Sequence, residues 1–106
     1  MQHEERYRPR YVIHIAAELI GVKTHTLRYY ERSGLVKPHR SPGNIRLYSE
    51  SDIETLRRVR NLMDDLGVNM AGVEVINNML EKLQQLMQEN ERLREELRQL
   101  YQQMDG

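Results

Sequence analysis

A chain of 106 residues, 39% hydrophobic and 30% charged, can bury one small core with an appendage and nothing thicker. It has no Cys, which excludes a disulfide scaffold, a thiolate metal site and a catalytic thiol. Its formal net charge is zero, yet residues 1–60 hold twelve Lys or Arg against seven Asp or Glu, while residues 61–106 hold four against nine.

A +5 half followed by a −5 half, with all four His in the first, suggests a basic head that binds nucleic acid and a tail with another task. The N-terminus, MQHEERYRPRY, has no apolar h-region, so it is not a secretory signal, and no run approaches the length of a membrane span. A cytoplasmic protein is expected.

In chain order, residues 1–10 read as a flexible polar arm. Tyr11-Val12-Ile13 could form a short strand leading into a helix at about 14–20, with Ile15, Ala16 and Leu19 on one face and Gly21 as a left-handed C-cap. A second helix is expected from about Thr24 to Ser33, stopped by Gly34. Two helices separated by a short turn with Gly have the spacing of a helix-turn-helix. Leu35-Val36 and Ile45–Tyr48 then read as strands flanking KPHRSPGN, so a hairpin follows the second helix as a wing. Ser49 can cap the next helix with Asp52 reaching back; its apolar stripe is Ile53, Leu56, Val59, Leu62, Met63 and Leu66, and Gly67 ends it. Asn69 is a good N-cap for a further helix from Met70.

From Val73 to Asp105 there is neither Gly nor Pro. Ile76, Leu83, Asn90, Leu97 and Met104 recur every seventh residue, and Met79, Leu86, Leu93 and Leu100 follow three positions on. This a/d pattern predicts a coiled coil about 43 Å long at about 1.5 Å per residue. Its apolar stripe needs a partner, most simply a second copy of the chain. The fold class expected is therefore mainly α: a winged helix-turn-helix head over residues 11–69 and a C-terminal dimerisation coiled-coil helix over residues 70–106.

On the second helix, Leu27 and Tyr30 share one face, while His25, Arg28, Tyr29 and Arg32 share another. Tyr30 is expected in the core and Tyr29 on the basic face, where a phenol can donate to a phosphate oxygen. The plainer alternative is that Arg28 and Arg32 are solvated and paired with Glu31 or Glu18. His14, His25 and His39 lie on separate elements without ligand spacing, so no metal is expected. Asp64-Asp65 and Glu95-Glu96 point to different sides of their helices, which removes paired-carboxylate catalysis. No Gly-rich phosphate loop or nucleophile elbow is present, and no enzyme activity or cofactor is expected.

The stretch THTLRYYERSGLVKPHRSPGNIRLYSESDIETLRRVRNL resembles the MerR family of bacterial transcription regulators over about residues 11–70. The carriers are TLRYYERSGL, the wing ending in RLYS, and the DIETL helix; LGVNMAGVEVI is similar to the heat-shock repressor (HspR) branch. The resemblance implies a two-fold homodimer on double-stranded DNA with inverted-repeat operators, repression of chaperone genes, and the Hsp70 chaperone DnaK as co-repressor. It also implies that Thr24, His25 and Arg28 face base edges or nearby phosphates, that His14 and Tyr29 contact the backbone, that Arg40, Asn44 and Arg46 are wing contacts, and that Arg60 lies near phosphate. The wing departs from the family's Gly-Tyr-Arg, reading Asn44-Ile45-Arg46, and Tyr29-Tyr30-Glu31 stands where the heat-shock branch often has Gln-Tyr-Asp. With neither Cys ligands nor an effector domain in these residues, no small-molecule effector is expected. Family dimers pair antiparallel, whereas Asn90 at a, Glu89 at g and Arg94 at e would suit a parallel zipper. Two other readings remain: a MerR-type activator, or a coiled-coil interaction protein with a basic RNA- or protein-binding head.

Overall fold

A computed structural model describes residues 5–105. It divides into two compact units, one ending at Val73 and one beginning at Glu74. The first contains α1 (Ile13–Ile20), α2 (Thr24–Arg32), β1 (His39–Arg40), β2 (Arg46–Leu47) and α3 (Glu50–Arg60), followed by a π turn (Asn61–Asp65). The long α4 (Met70–Asp105) starts in this unit and forms the second.

The head core gathers Ala16, Ala17 and Ile20 of α1, Leu27 and Tyr30 of α2, Leu35, Val36 and Tyr48, Ile53, Leu56 and Val59 of α3, and Val73. On α1 the buried stripe continues Ile13 through Ala16, Ala17 and Ile20, whereas Ile15 and Leu19 are exposed. Both stripes have helical spacing and share Ala16; the one with a second Ala permits close helix packing and is the one buried. Tyr11 forms an isolated antiparallel bridge with Tyr48 instead of a strand, and Ile13 already belongs to α1.

Gly21 ends α1 at φ 86°, with its N–H and that of Val22 both donating to the Ala17 carbonyl. The Arg60 guanidinium carbon lies 3.6 Å from where a side chain on Gly21 would begin, so the left-handed turn also leaves room for that arginine. After α2, Gly34 turns at φ 80° and the Leu35 N–H donates to the Tyr30 carbonyl. Leu35 and Val36 consequently enter the core and have no strand partner. The wing ladder lies further on, His39 opposite Leu47 and Arg40 opposite Arg46.

The Ser49–Asp52 capping box is formed: the Asp52 N–H donates to Ser49 Oγ at 3.1 Å and the Ser49 N–H to Asp52 Oδ2 at 2.9 Å. The apolar stripe of α3 runs only to Val59, with Leu62 and Met63 half-buried and Leu66 exposed. The π turn is the cause, because its wider turn shifts the helical phase that would have carried Leu66 inward. Asn69 caps α4, its Oδ1 accepting from the Gly72 N–H at 2.8 Å.

Residues 1–4 of the expected arm lie outside the described residues. Residues 5–10 are tied down along α3: Arg6 pairs with Glu54 at 2.6 Å, the Ser51 N–H donates to the Arg6 carbonyl at 2.9 Å, and Arg10 reaches Glu50 at 3.4 Å. Tyr11 donates its hydroxyl to Glu50, and that bond is the chief reason its phenol is pushed above the ordinary range. No helix among the described residues is long and apolar enough to cross a membrane.

Candidate nucleic-acid interface

Helical phase on α2 separates two jobs. Leu27 and Tyr30 are buried, Tyr30 at 3% exposure, and anchor the helix. Burial first, then the Asp64 carboxylate and Tyr29, push the Tyr30 phenol up against the opposing pull of Arg60. His25, Arg28, Tyr29 and Arg32 face solvent, Tyr29 at 42% exposure, and Thr24 is half-buried at the start of the helix. The Tyr29 and Tyr30 rings lie 6.0 Å apart at 45°, so the exposed ring rests beside the anchored one. Among the described residues Arg28 and Arg32 have no ion-pair partner. Glu31, which could have neutralised them, is engaged elsewhere.

Its two carboxylate oxygens take two wing arginines, Oε2 accepting from Arg46 Nε at 2.6 Å and Oε1 from Arg40 Nη2 at 3.2 Å. Arg40 also donates through Nη1 to the Asn44 carbonyl at 3.4 Å. The wing tip turns at Asn44, φ 62°, and is closed by the Ser41 hydroxyl accepting from the Ile45 N–H at 3.1 Å. Glu31 thus ties Arg40 and Arg46 of the wing to α2, the helix that carries Arg28, Tyr29 and Arg32. His14 stands exposed on the first turn of α1 without a hydrogen-bond or ion-pair partner among the described residues. Arg60 closes α3, beside Gly21 and 3.8 Å from Asp64.

Four further residues, Glu31, Arg57, Arg6 and Arg10, support this arrangement. The sequence offers Glu31 as a partner for its own helix, and its being the one acid in a basic stretch is the only local signal of the wing contact. Arg57 donates to the Leu19 carbonyl at 3.3 Å, satisfying the end of α1. The ties of Arg6 and Arg10 to α3 had no local signature, because their partners lie more than 35 residues away in sequence.

On α4, Met79, Leu83, Leu86, Leu93, Leu97, Leu100 and Met104 are all exposed, as is Asn90, while Ile76 is half-buried. Glu89 is taken by Arg92, which also pairs with Glu96 at 2.6 Å, and the Arg92 hydrogen bond holds the Glu89 carboxyl below its ordinary value. Among the described residues no group of three His, Asp or Glu could hold a metal ion.

A short-turn helix pair whose second helix presents an uncompensated basic face, followed by a two-stranded wing, defines a winged helix-turn-helix regulator that binds DNA. Residues 11–80 match the family described as MerR HTH family regulatory protein, and the chain belongs to it. It is 52% identical over 68 residues to the HspR protein of Streptomyces coelicolor, named for heat shock, a match covering 64% of this chain and 45% of that one. The chain thus matches less than half the length of HspR. It is 34% identical over 95 residues to the HTH-type transcriptional regulator GlnR of Bacillus cereus, covering 90% of this chain and 73% of GlnR. The fold is shared with HiNmlR, a MerR family regulator lacking the sensor domain whose structure was solved bound to promoter DNA (TM-score 0.59, 21% identity, 90% of this chain and 78% of that one). The chain is a DNA-binding transcription regulator of the MerR family.

Proposed function

We propose that the chain is a repressor of heat-shock or chaperone genes that binds inverted-repeat operators as a homodimer. The observation that carries the DNA-binding part is the α2 face: Arg28, Tyr29 and Arg32 are exposed on a helix anchored by Leu27 and Tyr30, the two arginines without an ion-pair partner among the described residues. Arg28 and His25 have donors suited to purine N7 and guanine O6 in a major groove, and the remaining basic groups neutralise phosphates and release counterions. The exposed a/d row of α4 supports a second copy as partner, since an apolar stripe of that length in water favours association. Two heads joined as a dimer would fix the half-site spacing and make DNA deformability part of the readout.

The heat-shock assignment is supported by the identity to HspR, and the co-repressor role of DnaK rests on the resemblance alone. Genomic footprinting before and after heat shock tests both operator and regulon. The expected result is occupancy of inverted repeats upstream of chaperone genes, relieved on heating. Occupancy at unrelated promoters would favour the second reading, a regulator of other genes, which the extended likeness to GlnR supports. Affinity capture with purified DnaK on operator DNA tests the co-repressor; no change in operator affinity would remove it.

A further inference from the structure

We propose that Glu31 is a positioning residue for DNA recognition: it holds Arg46 by its Nε so that the terminal nitrogens stay available for a phosphate, and it ties Arg40 into the wing. The inference rests on the DNA-binding reading above. Three features carry it. The wing ladder has only two residue pairs, too few to fix a hairpin in water, so its placement beside α2 depends on contacts outside the ladder. Glu31 supplies such a contact from the helix that carries Arg28 and Tyr29, with each carboxylate oxygen engaged by a different arginine.

The two arginines are held differently. Arg40 spends both terminal nitrogens, on Glu31 and on the Asn44 carbonyl, and so closes the wing tip. Arg46 donates only through Nε, at 2.6 Å, and none of its four terminal N–H donors has a partner among the described residues. A guanidinium anchored by one edge and open at the other meets a phosphate with little further ordering cost. Arg46 is also the more buried of the two, 28% exposed against 40% for Arg40. A bare carboxylate in this face would repel phosphates; bracketed by two guanidinium groups, it supplies geometry without a net negative charge.

The test compares the wild-type protein, Glu31→Gln and Arg46→Lys on two duplexes. One is recovered by selection from a random library with the wild-type protein; the other is of mixed sequence. Glu31→Gln removes a negative charge and so raises affinity on any DNA, but loss of positioning lowers it on the selected duplex; the ratio of the two affinities separates these effects. That ratio is expected to fall about tenfold, the scale of one lost base-pair match. Arg46→Lys keeps the charge, so the ratio should fall with the salt slope unchanged. Hydrogen exchange of the wing amides in the free protein should speed up in Glu31→Gln. Faster exchange with an unchanged ratio would make Glu31 merely structural and overturn the proposal, as would unchanged ratios in both Glu31→Gln and Arg46→Lys. A Glu31→Gln protein that fails to fold leaves Arg46→Lys to decide. If the wild type itself does not prefer the selected duplex, the DNA-recognition reading falls, and the Glu31 role with it.

Discussion

A helix advances about 100° per residue, so adjacent tyrosines on α2 cannot share a face. Tyr30 is locked into the core and Tyr29 lies against it in solvent, which makes the exposed phenol a rigid donor at low entropic cost. Tyr30→Ala should therefore cost about 3 kcal/mol of stability in urea melts, as a large ring removed from a core does, and DNA binding should fall with it. Tyr29→Phe should change stability by less than about 0.5 kcal/mol while weakening binding. Arg28, without an ion-pair partner among the described residues, is proposed for base readout. Arg28→Ala should weaken binding to the selected operator by about 1–3 kcal/mol and relax discrimination at one base pair, measured by competition with single-base operator variants. An unchanged base preference would assign Arg28 to phosphate alone.

Elements whose ends are set by local chemistry were the most legible. Gly21 and Gly34 turn with positive φ, and Ser49 and Asn69 cap their helices as their sequences indicate. Ser49→Ala should lower the stability of the head by about 1 kcal/mol, read as a shift of the urea midpoint at unchanged m-value. What escaped was set by phase or by distant partners. Leu35-Val36 has strand composition, but the ladder forms where the Ser41–Asn44 turn lets Arg40 meet Arg46, and the apolar pair goes to the core. Two equally periodic faces on α1 differ only in what packs on them, and a π turn has no composition that announces it. The arm looked free because its polar residues find their acids on α3, far along the chain. The a/d row of α4 was legible throughout, since a seven-residue repeat needs no tertiary information.

For the whole molecule, the proposed binding to an inverted repeat would need two heads acting together. Leu93, in the middle of the exposed seam, is where one charge should separate them. Leu93→Asp should sediment as a monomer in analytical ultracentrifugation and lose binding to the inverted repeat, with the melting of the head unchanged; a variant that stays dimeric would refute the seam. Val73, fully buried on the first turn of α4, has a temporal consequence. It is the last residue of the head core to be synthesised, and the seam comes after it. At about 5–20 residues per second, the a/d row from Ile76 to Met104 takes a few seconds to make. Each head therefore has every residue of its core before its own seam exists, so folding of the DNA-reading unit can precede the proposed pairing of two copies, and a newly made chain would meet a partner already shaped.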